Sequence, residues 1–330
     1  MRNFKVIVIA LSLALAVGCK KKKDADTGTN TASGSSDMAG SNMAGSGSDM
    51  AATPDAAVAV EPPKAIVNTM AADLKWVPLD EKAGDKGPMV SWLYGDAMKE
   101  PNGFFLKVGA ANKGMWHTHS AGYHGVVVSG APNHLQDGET KAKPLPAGSY
   151  WFEPGGAAHN SQCLGKEPCV VFVHFTEGKF DFAPAEMKKD GKPDPTYVEK
   201  REKDLKWSAL VPEAGDKGPM VAVVWGDPAS GPSGAFIKSP AGMVSPAHSH
   251  SADYHGVVIK GTLMNYAADD KAPKEMGPGS YWMQPGGGNH ITACKAGSEC
   301  LSYVYSVGKF DMAMAPGADM GGGAGSAGAG

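Results

Sequence analysis

The chain has 330 residues, room for about two ordinary domains, and a formal net charge of −3 with no basic stripe. That balance argues against nucleic acid as a partner. Beyond the first residues no apolar run approaches the ~18 residues a membrane-spanning helix needs, so no further span is expected.

Residues 1–19 read as a signal peptide. Arg2 and Lys5 precede an apolar run from Val6 to Val17 that is too short to cross a bilayer and ends in small residues and a cysteine. The ending Ala16-Val17-Gly18-Cys19 resembles a bacterial lipobox, with Ala16 where leucine is usual. That resemblance implies lipidation of Cys19. It also implies a protein held at the cell envelope, on the outer membrane, with the bilayer as a partner through its anchor. Residues 20–70 are expected to be a disordered tether. From Lys20 to about Val60 the chain is Lys, Asp, Gly, Ser, Ala, Asn and Met with no periodic apolar face. About 40 such residues would reach roughly 35 Å. The Gly/Ala-rich residues 313–330 read as a disordered tail.

Between these ends the chain repeats itself. His117, His119, His124 and His159 recur as His248, His250, His255 and His290, each displaced by 131 residues. The same displacement carries Leu74-Lys75-Trp76 onto Leu205-Lys206-Trp207, and the motif Ala-Gly-Asp-Lys-Gly-Pro-Met from 83–89 onto 214–220. It slips to 130 only at Gly178-Lys179-Phe180-Asp181, which matches Gly308-Lys309-Phe310-Asp311. A period that long fits tandem domains rather than a solenoid, here 71–182 and 202–312 joined by a linker at 183–201. Cys163 and Cys169, repeated as Cys294 and Cys300, form an even, local set expected to close two small disulfide loops.

Each copy reads as all-β. Short β-branched and aromatic runs such as Phe104–Val108 and Val170–Phe175 are bounded by Gly, Pro and Asn, and no segment shows a sustained helical period. Many short strands in so few residues need a sandwich or barrel to hide their edges. The motifs resemble those of the cupins, G-x5-H-x-H-x3–4-E-x6-G and G-x5-P-x-G-x2-H-x3-N. Gly148, Pro154, Gly156 and His159 fit the second motif, as do Gly279, Pro285, Gly287 and His290. Gly242 opens the first motif in copy two, where copy one has Ala111. With His124 and His255 set at the glutamate position, the distance onward to Gly130 and Gly261 is one residue short, and the closing asparagine is missing. The resemblance implies two tandem double-stranded β-helix (jelly-roll) barrels, a bicupin.

It further implies one metal per barrel, held by His117, His119, His124 and His159 in the first and by His248, His250, His255 and His290 in the second. A strand sends residues i and i+2 to one face, so the two histidines of each His-x-His project together. Imidazole donors suit Fe, Ni, Cu or Zn and disfavour Mg and Ca. Neutral ligands leave the full charge of a divalent ion in place, which favours a small anionic organic ligand or substrate. His134 and His174, replaced by Asn265 and Tyr305 in the second copy, read as non-ligands. Tyr123 and Tyr254 are the candidate catalytic side chains. The expected function is a metal-dependent, dioxygenase-type oxidoreductase. Its alternatives are a non-catalytic binding module and a pair of structural zinc sites.

Overall fold

The structure is a computed structural model that describes residues 64–96, 98 and 101–317. The signal segment, Cys19, most of the tether and residues 318–330 of the tail lie outside the described residues. Within them the regular structure is almost entirely antiparallel strand, interrupted by a few short 3-10 turns.

Two seven-stranded sheets dominate. One orders the strands Val198–Lys200, Tyr150–Glu153, Tyr123–Ser129, Cys169–Phe175, Asn102–Val108, Met89–Tyr94 and Val77–Pro78. The other orders Val67–Thr69, Tyr281–Gln284, Tyr254–Lys260, Cys300–Ser306, Ser233–Ser239, Met220–Gly226 and Ser208–Ala209. In the first copy a four-stranded sheet of Ala183–Pro184, His117–Thr118, His159–Cys163 and Pro132–Gln136 lies opposite. In the second copy two strand pairs take that place, joined through a bridge from His248 to His290.

The large sheets read as unbroken apolar runs because both of their faces are covered. Alternation explains how. In Tyr123–Ser129, the side chains of Tyr123 and Val127 belong to the interior cluster of the first barrel, with Phe104, Trp151 and Phe175. Val126 and Val128 point the other way, into a cluster shared with Val257, Phe236, Tyr281 and Tyr303 of the second copy. The two barrels therefore bury the backs of their large sheets against each other.

They also exchange strands. Val67–Thr69 pairs with Tyr281–Gln284 of the second copy, in register Val67 to Met283. Its equivalent 131 residues on, Val198–Lys200, pairs with Tyr150–Glu153 of the first, in register Val198 to Phe152. By sequence the first segment belongs to the tether and the second to the linker. Three residues are too few to show alternation, yet each covers a sheet edge that would otherwise be left unpaired. Ala313–Met314, tail by sequence, likewise pairs with His248–Ser249.

Two glycines make room for the cross-strand tryptophans. Gly125 lies opposite Trp151, and Gly256 opposite Trp282. A Cβ on Gly125 would come within 2.1 Å of the Trp151 indole, and one on Gly256 within 2.0 Å of Trp282. Because the ring is buried against the strand, Gly125→Ala is expected to destabilise the protein by about 1–3 kcal/mol. A urea midpoint unchanged from wild type would contradict this reading of the cross-strand pair.

The cysteines form the expected bridges, Cys163–Cys169 and Cys294–Cys300. Each joins the strand that begins with or follows the last motif histidine to the next strand in sequence, which lies in the large sheet, and so closes the short connection between the two sheets.

Candidate metal centre

In the first barrel His117 and His119 come from the short strand and turn opposite the large sheet, and His159 starts the neighbouring strand with its Cα paired to His117. The ring centroids are 4.2 Å apart for His117–His159, 5.0 Å for His117–His119 and 5.2 Å for His119–His159. His248, His250 and His290 repeat this at 4.3, 5.1 and 5.3 Å. In each triad one ring nitrogen per histidine lies within 4.8 Å of the others.

The backbone sets which nitrogen that can be. Nδ1 of His117 donates to the Met115 carbonyl at 2.8 Å and Nδ1 of His159 to the Ala157 carbonyl at 3.2 Å, while Nδ1 of His119 donates to the carbonyl of Asp181. The second barrel matches: His248 to Pro246 at 2.8 Å, His290 to Gly288 at 3.2 Å, and His250 to Asp311. A carbonyl only accepts, so each Nδ1 carries the proton and each Nε2 keeps a lone pair. Burial holds the rings neutral as well. It lowers His117 and His250 to about 4 and His290 to about 3, with His119, His159 and His248 lowered in the same direction. Six Nε2 lone pairs, three in each barrel, each on a ring oriented from behind by a hydrogen bond, are what metal-binding imidazoles require. The donor set fits a divalent transition metal.

His124 and His255 are not part of these triads, contrary to the sequence reading. On its strand His124 faces away from the barrel interior, and its Nδ1 pairs with the Tyr150 hydroxyl at 2.8 Å. It stacks on Trp225 of the other barrel at 4.3 Å and on His174 at 4.7 Å. His255 does the same with the Tyr281 hydroxyl at 2.7 Å and the Tyr94 ring at 4.0 Å. Adjacent residues of a strand face opposite ways, so the inward residue is the preceding tyrosine. The Tyr123 hydroxyl lies 3.2 Å from His159 Nε2, and that of Tyr254 lies 3.0 Å from His290 Nε2. Three residues separate Tyr123 from His119 and six separate it from Gly130, which restores the first motif's spacing from its histidine pair to its closing glycine. Tyrosine thus occupies the glutamate position. Both phenols are buried and their pKa values are raised, by burial first and, for Tyr123, by the charge of Glu153 next. They stay protonated donors at neutral pH.

The repeated Gly-Lys-Phe-Asp segment supports the middle histidine. Besides the carbonyl bond to His119, the Asp181 carboxylate accepts the Ser120 amide at 2.7 Å, and Asp311 accepts Ser251 at 2.8 Å. Phe310 stacks on His250 at 4.5 Å.

Behind the first triad lies a polar group that the duplication conceals. Glu153, 1 % exposed, sets Oε2 2.7 Å from His134 Nε2 and accepts from Gln136 Nε2 at 2.6 Å. Its Oε1 makes no hydrogen bond and lies 3.5 Å from His159 Nδ1. In the second barrel Gln284 and Asn265 stand at the equivalent positions, joined by a 3.2 Å amide–amide bond. His134, a non-ligand by sequence because Asn265 replaces it, lies outside the triad but forms a further buried donor cluster with Glu153 and His159. The signal available for Glu153 is its place next to Pro154 in the second motif.

A profile of the family described as Domain of unknown function (DUF4437) matches residues 67–202 and again 197–315. The chain belongs to this family. No curated protein matches the sequence significantly. Among solved structures, this DUF4437 protein is similar to the oxalate decarboxylase of Lactobacillus farciminis in its formate complex. The identity is 12 % and the TM-score 0.52, covering 78 % of this chain and 89 % of that one. It is also similar to a mutant form of Bacillus subtilis oxalate decarboxylase, at 12 % identity and TM-score 0.51 over 77 % and 80 % of the two chains. A Nostoc punctiforme protein described as a proposed dioxygenase aligns at 14 % identity and TM-score 0.54, over 74 % and 83 %. At these identities the likeness establishes the fold, a tandem cupin. Among the described residues of this DUF4437 chain, no helix is long and apolar enough to cross a membrane.

Proposed function

We propose that the protein is an exported, lipid-anchored bicupin that binds a divalent Fe, Ni, Cu or Zn ion in each barrel and acts on a small anionic organic molecule as a dioxygenase-type oxidoreductase. The observation that carries the metal reading is the backbone-fixed tautomer of all six triad histidines, which leaves six Nε2 lone pairs converging in two groups of three. The signal peptide and Cys19 support export and anchoring from the sequence alone.

Three protein ligands rather than four favour an open site. A structural zinc site is closed by four, and a catalytic one keeps a position for water or substrate. A neutral, deeply buried phenol is a poor fourth ligand, so Tyr123 and Tyr254 are better placed to donate a hydrogen bond to a molecule bound beside the histidines. Any of these ions would supply Lewis acidity when bound, and Fe, Ni or Cu, unlike Zn, would also supply a redox partner for such a molecule. The chain's own work is to hold three imidazoles in one tautomer, exclude water with Phe175, Phe180 and Phe310, and present one phenol per centre. In the second barrel the neutral Asn265–Gln284 pair replaces His134 and Glu153, which favours a non-catalytic, ligand-binding role for that barrel.

Loading the protein with each metal in turn and measuring oxygen uptake over a panel of diketones, catechols and small dicarboxylates tests this. Oxalate belongs in the panel because oxalate decarboxylases are among the structural neighbours. Uptake that disappears in His159→Ala is the expected outcome. Tight metal and ligand binding with no turnover on any compound would replace the enzyme reading with the binding one.

A further inference from the structure

The two barrels differ inside. In the second, an apolar cavity of about 140 Å³ opens between the Met220–Gly226, Ser233–Ser239 and Cys300–Ser306 strands, lined among others by Val221, Val223, Ala235, Ile237, Val304 and Phe310. Val223, 40 % exposed, stands at its edge. The equivalent strands of the first barrel are filled. Val223 and Ala235 are cross-strand partners, and the matching partners in the first barrel are Trp92 and Phe104. Ser306, opposite Ser233, is matched by Phe175, opposite Asn102. Trp92 and Phe104 lie with ring centroids 4.7 Å apart, and both lean on Phe180, at 6.0 and 5.3 Å.

One copy therefore packs its own aromatic rings into a slot that the other lines with valine, alanine and serine. We propose that the second barrel takes up a small apolar molecule with a single aromatic ring in this slot, in the place that Trp92, Phe104 and Phe175 occupy in the first. The first barrel is closed to such a ligand by its own side chains. The size is right: a dry apolar cavity of roughly 150 Å³ accommodates benzene. Phe310 both lines the cavity and stacks on His250, so a ring held there sits one side chain from the second triad. The residues lining the cavity include none of the triad, so the inference stands whether or not a metal is bound.

Calorimetric titration of the full chain with toluene, without added metal, tests it. The expected result is one saturable site per chain. Ala235→Phe combined with Ser306→Phe installs the residues of the first barrel and is expected to weaken binding at least about tenfold, because the slot is then full. Should that pair fail to fold, Val223→Trp at the exposed edge fills the mouth with less strain and is expected to give the same loss. Conversely, Phe104→Ala is expected to add a second site. No saturable binding by the wild-type chain, or binding that persists in a folded filled variant, overturns the proposal.

Discussion

Replacing His159 by alanine is expected to lower bound metal from about two equivalents per chain to about one, while His124→Ala leaves two. His159 gives one of only three imidazoles to its centre, and its Nε2 meets the Tyr123 hydroxyl, a protonated phenol that is a poor substitute ligand. Loss of a group that merely orients a ligand costs ~10–100-fold in metal affinity, so loss of the ligand itself should empty the site at ordinary concentrations. His290→Ala should empty the second centre in the same way. His124 instead bonds to the Tyr150 hydroxyl and stacks between the barrels, so its removal should appear in stability rather than in metal content. Elemental analysis of the purified variants reads both effects. A His124→Ala protein with one equivalent would return that residue to the coordination set.

The second large effect is on stability against acid. Three buried histidines sit between the barrels. Burial lowers His124 to about 3 and His255 to about 4; His174 is lowered by burial first and then by its neighbours His124 and His255. The His174 Nε2 meets the Tyr303 hydroxyl at 2.9 Å, which also accepts from Trp225, and its Nδ1 has no partner. In the unfolded chain such imidazoles bind a proton near pH 6.5. Between that pH and about 4 the unfolded state therefore holds more protons than the folded one. The contribution of these groups is fully present above about pH 6.5 and is lost as the pH falls toward the folded values. Each group adds a slope of about 1.4 kcal/mol per pH unit in that window. Urea unfolding at pH 7, 6 and 5 should show a slope shallower by about that amount in His124→Gln than in wild type. The triad histidines also titrate in this range, but in metal-free protein they contribute equally to both and cancel in the difference. Equal slopes would mean that His124 is not held neutral in the interface.

Much of this architecture is legible because the chain states it twice. The His-x-His pairs, the Pro-x-Gly-x2-His turns and the cysteine pairs keep a common displacement, so chance alignment is a poor explanation for them. The structure puts His117, His119 and His159 together, and with them the second-copy equivalents, as strand alternation requires. Alternation also holds the correction for His124. Counting from Gly130 places tyrosine at the inward position, and the short count from His124 is the visible sign of a misplaced register. The exchanged strands leave no comparable sign. Val67–Thr69 and Val198–Lys200 are too short to carry a pattern, and what orders them is the open edge of the other copy, which only the assembled sheets reveal. Glu153 and His134 are hidden for the opposite reason. They break the repeat, and equivalence between copies is what separates ligands from bystanders in the sequence. The same breaks, at Trp92, Phe104 and Phe175, are what distinguish the interiors of the two barrels.

Anomalous diffraction from crystals of the metal-loaded protein tests the central claim most directly. Two peaks are expected, one bonded to Nε2 of His117, His119 and His159 and one to Nε2 of His248, His250 and His290, with His124 and His255 remote from both. A peak that draws either of those two histidines inward, or barrels that carry none, would contradict the three-histidine centres described above.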